Sequence, residues 1–151
     1  MADIVDVVTR SRMMAGIRGR DTLPERILRA AMHRAGFRYR LNVKSLPGKP
    51  DLAFSKYRAV VFVQGCFWHR HLGCVRAATP SSNRRFWQQK FKQNVARDRR
   101  NEAKLRQLGW RVATVWECAI TRTETEKLSR TIGTWLIKST STLEIPKRRR
   151  E

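Results

Sequence analysis

The predicted elements follow one another as helix, strands, helix, strand and helix, which indicates an α/β fold with a mixed central sheet flanked by helices. Two observations support this prediction. The run from Ala59 to Val63 is continuously apolar and rich in β-branched residues, as in a strand that is covered on both faces. Helical segments lie before and after that run, so each face of the sheet has a helix available to cover it.

The first helix is predicted to begin at Thr22. Thr22 and Glu25 have the spacing of a capping box, in which a side-chain oxygen and a carboxylate satisfy free N–H groups at a helix start. Gly36 supplies the stop signal. Between them, one apolar face is formed by Ile27, Leu28, Ala31, Met32 and Ala35.

Three strands are predicted next. Residues 37–41 alternate in polarity as a strand does, and residues 46–50 have the composition of a turn. Residues 51–55 and 59–63 then form a hairpin through Lys56-Tyr57-Arg58.

The second half of the chain is predicted as helix, strand and helix. Ser81 and Ser82 are candidate caps for a helix over residues 84–108, with a break expected near residues 91–94. This helix carries nine basic residues against Asp98 and Glu102. Gly109 ends it, a strand follows over residues 110–116, and a closing helix covers residues 123–137.

The length of 151 residues fits one domain. We assign residues 21–137 to this domain, residues 1–20 to a basic N-terminal arm, and residues 138–151 to a basic tail. The tail is rich in serine and threonine and finishes in Lys147-Arg148-Arg149-Arg150, so it is expected to be flexible.

The formal net charge of +21 implies a polyanionic partner, because such self-repulsion costs stability. Nucleic acid is the default partner, and an acidic membrane surface or a ribosome is the alternative. No stretch reaches the roughly 20 apolar residues of a membrane helix. The odd number of cysteines, three, and the lack of an apolar segment at the start of the sequence indicate a reducing cytoplasm.

One loop, from Cys66 to Cys74, holds two of the three cysteines and two of the three histidines. Cys66, His71 and Cys74 offer three metal ligands in one loop, and Cys118 would complete a tetrahedral structural zinc site. That assignment leaves His69 free for other chemistry. The alternative is that the cysteines are buried apolar fillers and the histidines are surface groups.

A second candidate site is a carboxylate at a strand start. Asp51 opens a strand directly after Pro50, and the neighbouring strand ends at Phe62-Val63-Gln64, which is an arrangement suited to holding Mg²⁺ against a phosphate. An ordinary turn aspartate is the alternative. Glu25 is either only a capping residue or, if its helix end faces Asp51, also a contact for metal-bound water.

Six segments follow one another along the chain. They are Asp21-Thr22 with Glu25, Leu46-Pro47-Gly48-Lys49-Pro50-Asp51, Gly65-Cys66-Phe67-Trp68-His69, Phe86-Trp87, Asn94-Val95 with Arg97-Asp98, and Leu108-Gly109-Trp110 running to Trp116-Glu117-Cys118. Together, over about residues 9 to 120, the chain resembles the very short patch repair endonucleases. The resemblance implies a fold like that of type II restriction enzymes. It also implies an activity that nicks one DNA strand 5′ to the thymine of a T·G mismatch, which arises when 5-methylcytosine deaminates.

The resemblance also implies roles for individual residues. Asp51, with the carbonyl of Val63, would hold Mg²⁺, and Glu25 would hold metal-bound water. His69 would assist proton transfer or stabilise the transition state near the scissile phosphate. Structural zinc would lie among Cys66, His71, Cys74 and Cys118. The DNA-binding residues would be an aromatic wedge of Phe67, Trp68 and Trp87, with Lys90 and Asn94 at the mismatched bases or, alternatively, on a solvated helix face.

The resemblance makes double-stranded DNA with a T·G mismatch the expected substrate, in the cytoplasm and associated with the nucleoid. Mismatch-repair proteins are candidate partners, and a monomer is expected because one nick needs one active site.

One residue departs from the family pattern. Position 64 is Gln, where the better-known members carry a histidine, and an amide can orient a water or phosphate but cannot exchange a proton near neutral pH. We therefore keep Gln64 among the catalytic residues but expect fewer titrating groups. The alternative function is a non-catalytic, zinc-stabilised DNA-binding module with an impaired active site.

Overall fold

The computed structural model describes residues 22–146. The predicted N-terminal arm and the basic run at the end of the tail lie outside this range. The helices are α1 (Leu23–Arg34), α2 (Arg84–Gln107) and α3 (Thr125–Lys138), and the strands are β1 (Arg40–Leu41), β2 (Leu52–Phe54), β3 (Ala59–Gln64), β4 (Arg111–Trp116) and β5 (Leu143–Ile145). Single 3₁₀ turns occur at Ser55–Tyr57, Val75–Ala77 and Glu117–Ala119.

The five strands form one mixed sheet in the order β1-β2-β3-β4-β5. The first two pairings are antiparallel, and the β3–β4 and β4–β5 pairings are parallel. The register pairs Val60 with Val112 and Gln64 with Trp116. The carboxyl ends of β3 and β4 therefore lie side by side, and the loops that begin there, with Cys66 and Cys118, start from the same edge.

Each face of the sheet is covered by helices, as the sequence predicts. On one face, α1 and α3 contribute Leu28, Met32, Ile132 and Leu136, which pack with Val61 and its neighbours in the sheet. On the other face, Leu105 of α2 packs on Val60 and Val112. The side chains of β3 thus alternate between two cores, which explains its continuous apolar sequence.

The two helix starts differ from each other. At α1, the Oγ1 atom of Thr22 accepts a hydrogen bond from the N–H of Glu25 at 3.4 Å, as expected of a capping residue. At α2, Asn83 takes the cap position in a left-handed conformation, with φ of 52°, so the prediction of Ser81 and Ser82 as caps is wrong. Asparagine adopts this conformation more readily than most residues.

Helix α2 runs without a break through residues 91–94, so the predicted interruption is also wrong. Phe91 is buried in an aromatic cluster, and the Asn94 side chain donates to the carbonyl of Trp68 at 3.4 Å. These tertiary contacts favour continuous helix where the local sequence suggested a break.

Residues 143–145 form a strand, although the sequence interpretation placed them in the flexible tail. β5 pairs with β4, and Leu143 and Ile145 pack against the core of the α1–α3 face. The sheet therefore extends past residue 137, where the domain was predicted to end. A three-residue alternation of apolar and polar side chains is too short to identify a strand from sequence. None of the helices within residues 22–146 is both long and apolar enough to cross a membrane.

Candidate active site and metal centre

A cleft of about 1680 Å³ opens at the carboxyl ends of β3 and β4, between α2 and the loop over residues 42–50. Its walls include Asp51, Gln64, His69, His71 and Asp98. The structure thus brings the predicted catalytic residues and the predicted metal ligands to one side of the sheet.

A buried pair of carboxylates forms one end of the site. Antiparallel pairing of β2 and β3 places Asp51 beside the end of β3, where its Oδ2 atom accepts a hydrogen bond from the N–H of Val63 at 2.7 Å. The side chain of Glu25, which is 9% exposed, lies close enough to Asp51 for its charge to raise the pKa of that carboxyl. The start of α1 therefore faces Asp51, which was the condition for assigning Glu25 more than a capping role.

Burial and the neighbouring charge of Glu25 raise the pKa of Asp51 to about 8, against the opposing effect of the hydrogen bond from Val63. Two carboxylates this close cannot both ionise cheaply without a compensating charge. Their oxygens are hard donors of the kind that Mg²⁺ prefers, so the residues fit a divalent cation whose charge would offset theirs.

A histidine and an aspartate form a second pair in the cleft. The Nδ1 atom of His69 lies 2.5 Å from the Oδ2 atom of Asp98, which is carried by α2. A carboxylate at Nδ1 fixes the ring and leaves Nε2 for other contacts. No role was predicted for Asp98 from the sequence, although it belongs to one of the family motifs. The feature that could have identified it is its negative charge in a helix that is otherwise strongly basic.

The four predicted metal ligands lie together. The ligand atoms of Cys66, His71, Cys74 and Cys118 are all within 4.8 Å of one another. The Nδ1 atom of His71 is 3.6 Å from the sulfur of Cys66 and 3.4 Å from that of Cys118. A tetrahedral zinc ion, with bonds of about 2.3 Å to sulfur and about 2.0 Å to nitrogen, holds such atoms roughly 3.5 Å apart.

The protonation of this quartet depends on a cation. Burial raises the pKa of the Cys66 thiol to about 12, and burial raises the pKa of Cys118 as well. Burial also lowers the pKa of His71, which favours the neutral imidazole that binds metal. Three thiols and one neutral imidazole form a closed donor set for a structural ion, which would displace the thiol protons.

Three further residues support the quartet. The ring of His71 stacks on Trp116, with centroids 4.4 Å apart, and the indole N–H of Trp116 donates to Glu144 of β5 at 3.2 Å. Glu117, next to Cys118 in the chain, accepts a hydrogen bond from the N–H of Cys66 at 3.2 Å. Glu144 was missed, because its segment was interpreted as tail.

The aromatic residues of the loop and of α2 form one cluster. Phe67 packs edge-on against Trp68, Trp87 and Phe91, with centroid distances of 5.1–5.6 Å. Phe67 and Trp68 are half-buried, whereas Trp87 is 2% exposed. The Nε1 atom of Trp87 has no hydrogen-bond partner within the part of the chain that the structure describes. Trp87 therefore forms the base of the cluster in this structure.

The remaining predicted residues line the surface near this cluster. Lys90 is exposed on α2. Asn94 donates to the carbonyl of Trp68 and accepts from the guanidinium of Arg97 at 3.1 Å, so its amide is held toward the loop. Gln64 is half-buried at the end of β3 and faces the cleft.

The family described as DNA mismatch endonuclease Vsr matches residues 2–76, a segment that contains Glu25, Asp51 and His69. The DNA mismatch endonuclease Vsr of Escherichia coli K12 is 42% identical over 139 residues, covering 90% of this chain and 88% of that protein. The chain belongs to the Vsr family.

Two other Vsr relatives are similarly close. The type II nicking enzyme V.XorIIP of Xanthomonas oryzae pv. oryzae is 44% identical over 120 residues, covering 80% of this chain and 88% of that protein. The type II nicking enzyme V.NmeAIP of Neisseria meningitidis serogroup A is 43% identical over 120 residues, covering 80% of this chain and 85% of that protein. The family assignment made from the short motifs is therefore confirmed for most of the chain.

Proposed function

We propose that this protein is a Mg²⁺-dependent endonuclease that nicks one DNA strand 5′ to the thymine of a T·G mismatch and so initiates very short patch repair. As a member of the Vsr family the chain is a DNA endonuclease. The observation that carries the proposal is the convergence of two pairs, Asp51 with Glu25 and His69 with Asp98, in one cleft. T·G mismatches of this kind form by deamination of 5-methylcytosine.

Asp51 and the carbonyl of Val63 would hold the Mg²⁺ ion. The hydrogen bond from the N–H of Val63 fixes Oδ2 of Asp51 and leaves the other carboxylate oxygen for the cation. When bound, Mg²⁺ supplies charge that stabilises the transition state at the phosphate and polarises a water. Glu25, beside Asp51, orients that water through its carboxylate oxygens.

His69 moves the proton. Because Asp98 holds Nδ1, the Nε2 atom is the one that exchanges a proton with the attacking water or the leaving oxygen. Gln64 lies at the end of the neighbouring strand and contributes an amide that donates and accepts hydrogen bonds without titrating. It therefore orients a water or a phosphate oxygen.

The aromatic cluster reads the mismatch. Phe67 and Trp68 are partly exposed, and we assign them to entering the base stack, where unstacking costs least at an imperfect pair. Trp87 belongs to the same wedge and packs against the rings of Phe67 and Trp68 on their buried side. It contacts DNA only when these two rings move apart. Lys90 and Asn94, on the adjacent face of α2, contact the mismatched bases, and the net charge of +21 attracts the phosphates.

The metal quartet holds structural zinc. Cys66, His71, Cys74 and Cys118 fill all four positions of a tetrahedral ion, so the site keeps no open position for substrate. Its role is to fix the loop that carries Phe67, Trp68 and His69.

The expected context is that of a DNA repair enzyme. We place the protein in the cytoplasm, associated with the nucleoid, as a monomer, with mismatch-repair proteins as candidate partners. One active site is sufficient for one nick.

The test uses two duplexes that differ in one base pair, T·G against C·G, with the protein in buffers with and without added Mg²⁺. Mg²⁺ is omitted rather than chelated, because a chelator would also remove structural zinc. We expect nicking of the T·G duplex alone, only when Mg²⁺ is present, and loss of this nicking in Asp51→Ala.

The alternative, a non-catalytic DNA-binding module, is favoured by Gln64 in place of a titrating histidine. Binding to T·G without any nick under all conditions would establish that alternative.

A further inference from the structure

Arg70 lies at the centre of the loop, between two residues with separate tasks. His69 pairs with Asp98, and His71 belongs to the metal quartet. The backbone of Arg70 is left-handed, with φ of 56°, a conformation that a non-glycine residue adopts at a cost and that its surroundings must hold in place.

The side chain of Arg70 does not extend into solvent but turns to the aromatic cluster. Its Nη1 atom donates to the carbonyl of Phe67 at 3.1 Å, and its Nη2 atom donates to the hydroxyl of Thr79 at 3.0 Å. Nη2 also donates to the carbonyl of Ala77. The guanidinium carbon lies 3.9 Å from the ring centroid of Phe91 on α2.

Through these contacts one side chain connects three segments: the start of the loop, the segment that follows the loop, and helix α2. A planar guanidinium can stack on a ring and donate in its own plane at once, which an ammonium cannot. In a protein of this charge the default role of an arginine is a phosphate contact. Here both terminal nitrogens already donate to protein oxygens.

We infer that Arg70 is a positioning residue that holds the Phe67–Trp68 wedge in a fixed place on α2, and so sets how strongly the enzyme prefers a mismatch over a matched pair. The inference rests on the proposed function, since it assumes that the wedge reads the mismatch. Two contacts thus connect the loop to α2: Arg70 stacks on Phe91, and His69 pairs with Asp98.

Arg111 offers a matched control. It is another half-buried arginine that donates to carbonyls, here those of Tyr57, Trp135 and Leu136, and its guanidinium carbon is 4.9 Å from the ring centroid of Trp135. It lies at the opposite end of β4 from the cleft. Arg111→Lys therefore removes a similar set of contacts at a place outside the cleft.

The experiment compares wild type, Arg70→Lys and Arg111→Lys by initial nicking rates and by binding to T·G and C·G duplexes. We expect Arg70→Lys to lose the preference for T·G by about tenfold or more, with binding to the matched duplex nearly unchanged and one zinc ion retained per chain. Arg111→Lys should lower the melting temperature and keep the preference. An unchanged preference in Arg70→Lys, or equal weakening of binding to both duplexes, would overturn the inference.

A second variant and a spectroscopic measurement test the positioning role independently of the folding of Arg70→Lys. Thr79→Val removes one acceptor of Arg70 and should shift the preference in the same direction by a smaller factor, even if Arg70→Lys folds poorly. The ¹⁹F spectrum of protein labelled with 5-fluorotryptophan reports the wedge without DNA: Arg70→Lys should move or broaden the Trp68 signal, and Arg111→Lys that of Trp135. A wild type without any T·G preference would refute the proposed function, whereas an unmoved Trp68 signal would refute the positioning role.

Discussion

The imidazole of His69 and the carboxylate of Asp98 form a pair with 2.5 Å between Nδ1 and Oδ2. His69 belongs to the loop from Cys66 to Cys74 and Asp98 to α2, so the orientation of the imidazole depends on how the loop packs on that helix. The same helix carries Lys90, Asn94 and the base of the aromatic cluster. A displacement of the loop on α2 would therefore affect the proposed mismatch contacts and the proposed proton transfer together.

The pair predicts a graded loss of activity. His69→Ala should reduce the single-turnover nicking rate by about 10²- to 10⁴-fold, the range for a lost general acid or base. Asp98→Asn should cost less, because the amide removes the charge and the tautomer control but leaves the imidazole. Gel-shift binding to the T·G duplex should stay close to wild type for both. A His69→Ala variant that nicks at the normal rate would remove the proton-transfer role.

Replacement of Gln64 by histidine is expected to increase the nicking rate. It lies at the end of β3 opposite Trp116 and faces the cleft, where an imidazole would add a group that titrates near neutral pH. Gln64→His should raise the nicking rate and add a titration near pH 6.5 to the pH–rate profile. Gln64→Glu is the control, since it adds negative charge beside Asp51 and should slow the reaction. An identical pH–rate profile in Gln64→His would contradict the assignment of this position to the active site.

Asp51 predicts a pH dependence of stability in the absence of Mg²⁺. Its pKa is about 8 in the folded protein and about 3.9 in the unfolded chain, so between these values the folded state holds a proton that the unfolded state has lost. Stability therefore falls as pH rises through this window. Asp51→Asn cannot ionise, so its melting temperature should exceed that of wild type at pH 8, with the difference vanishing at pH 4.

The comparison between variant and wild type cancels the titration of other groups. Added Mg²⁺ should raise the melting temperature of wild type at pH 8 and leave Asp51→Asn nearly unchanged, because only the ionised carboxylate gains from the cation. A constant difference in melting temperature between the two proteins across the pH range would show that burial of Asp51 does not disfavour its ionised form.

Much of the site could be predicted from sequence because it is local. Cys66, His71 and Cys74 lie within nine residues, so their residue types and spacing were enough to group them, and the structure confirms that Cys118 joins them. Glu25 and Asp51 are distant in sequence, so the sequence did not show whether they lie together. The role predicted for Glu25 beyond capping depended on the start of its helix facing Asp51. The structure meets that condition through the antiparallel β2–β3 pairing and the packing of α1.

The parts that sequence did not reveal depend on tertiary packing. Asp98 acquires its role only because α2 crosses the loop, and Arg70 only because its side chain turns toward Phe91. β5 is three residues long, too short for any periodic signal, and is stabilised by pairing with β4. The burial of Trp87 was also not predicted, and it arises because four aromatic side chains of the loop and α2 surround this residue.

The metal quartet predicts that zinc is required for folding. Cys66 is fully buried and its backbone N–H is held by Glu117, so losing its sulfur ligand leaves a buried site without its ion. Cys66→Ser should abolish stoichiometric zinc and yield a protein without a cooperative melting transition. His33→Ala, which changes an exposed histidine outside the quartet, should keep one zinc per chain. A fully folded, metal-free preparation of wild type would contradict a structural role for the ion.

Gly133 predicts a packing constraint between α3 and the segment after α1. A Cβ atom at this position would lie 2.9 Å from the Cε2 and Cζ atoms of Phe37, closer than side chains approach. The ring of Phe37 cannot easily withdraw, because it packs against Phe54 and Tyr57. Overpacking of this kind costs about 1–3 kcal/mol, against about 1 kcal/mol that alanine gains over glycine within a helix.

Gly133→Ala should therefore lower the melting temperature by a few degrees, whereas Thr134→Ala, at the exposed neighbouring position, should leave it unchanged or raise it slightly. A Gly133→Ala variant as stable as Thr134→Ala in the same thermal scan would show that Phe37 yields to the added methyl group at no cost.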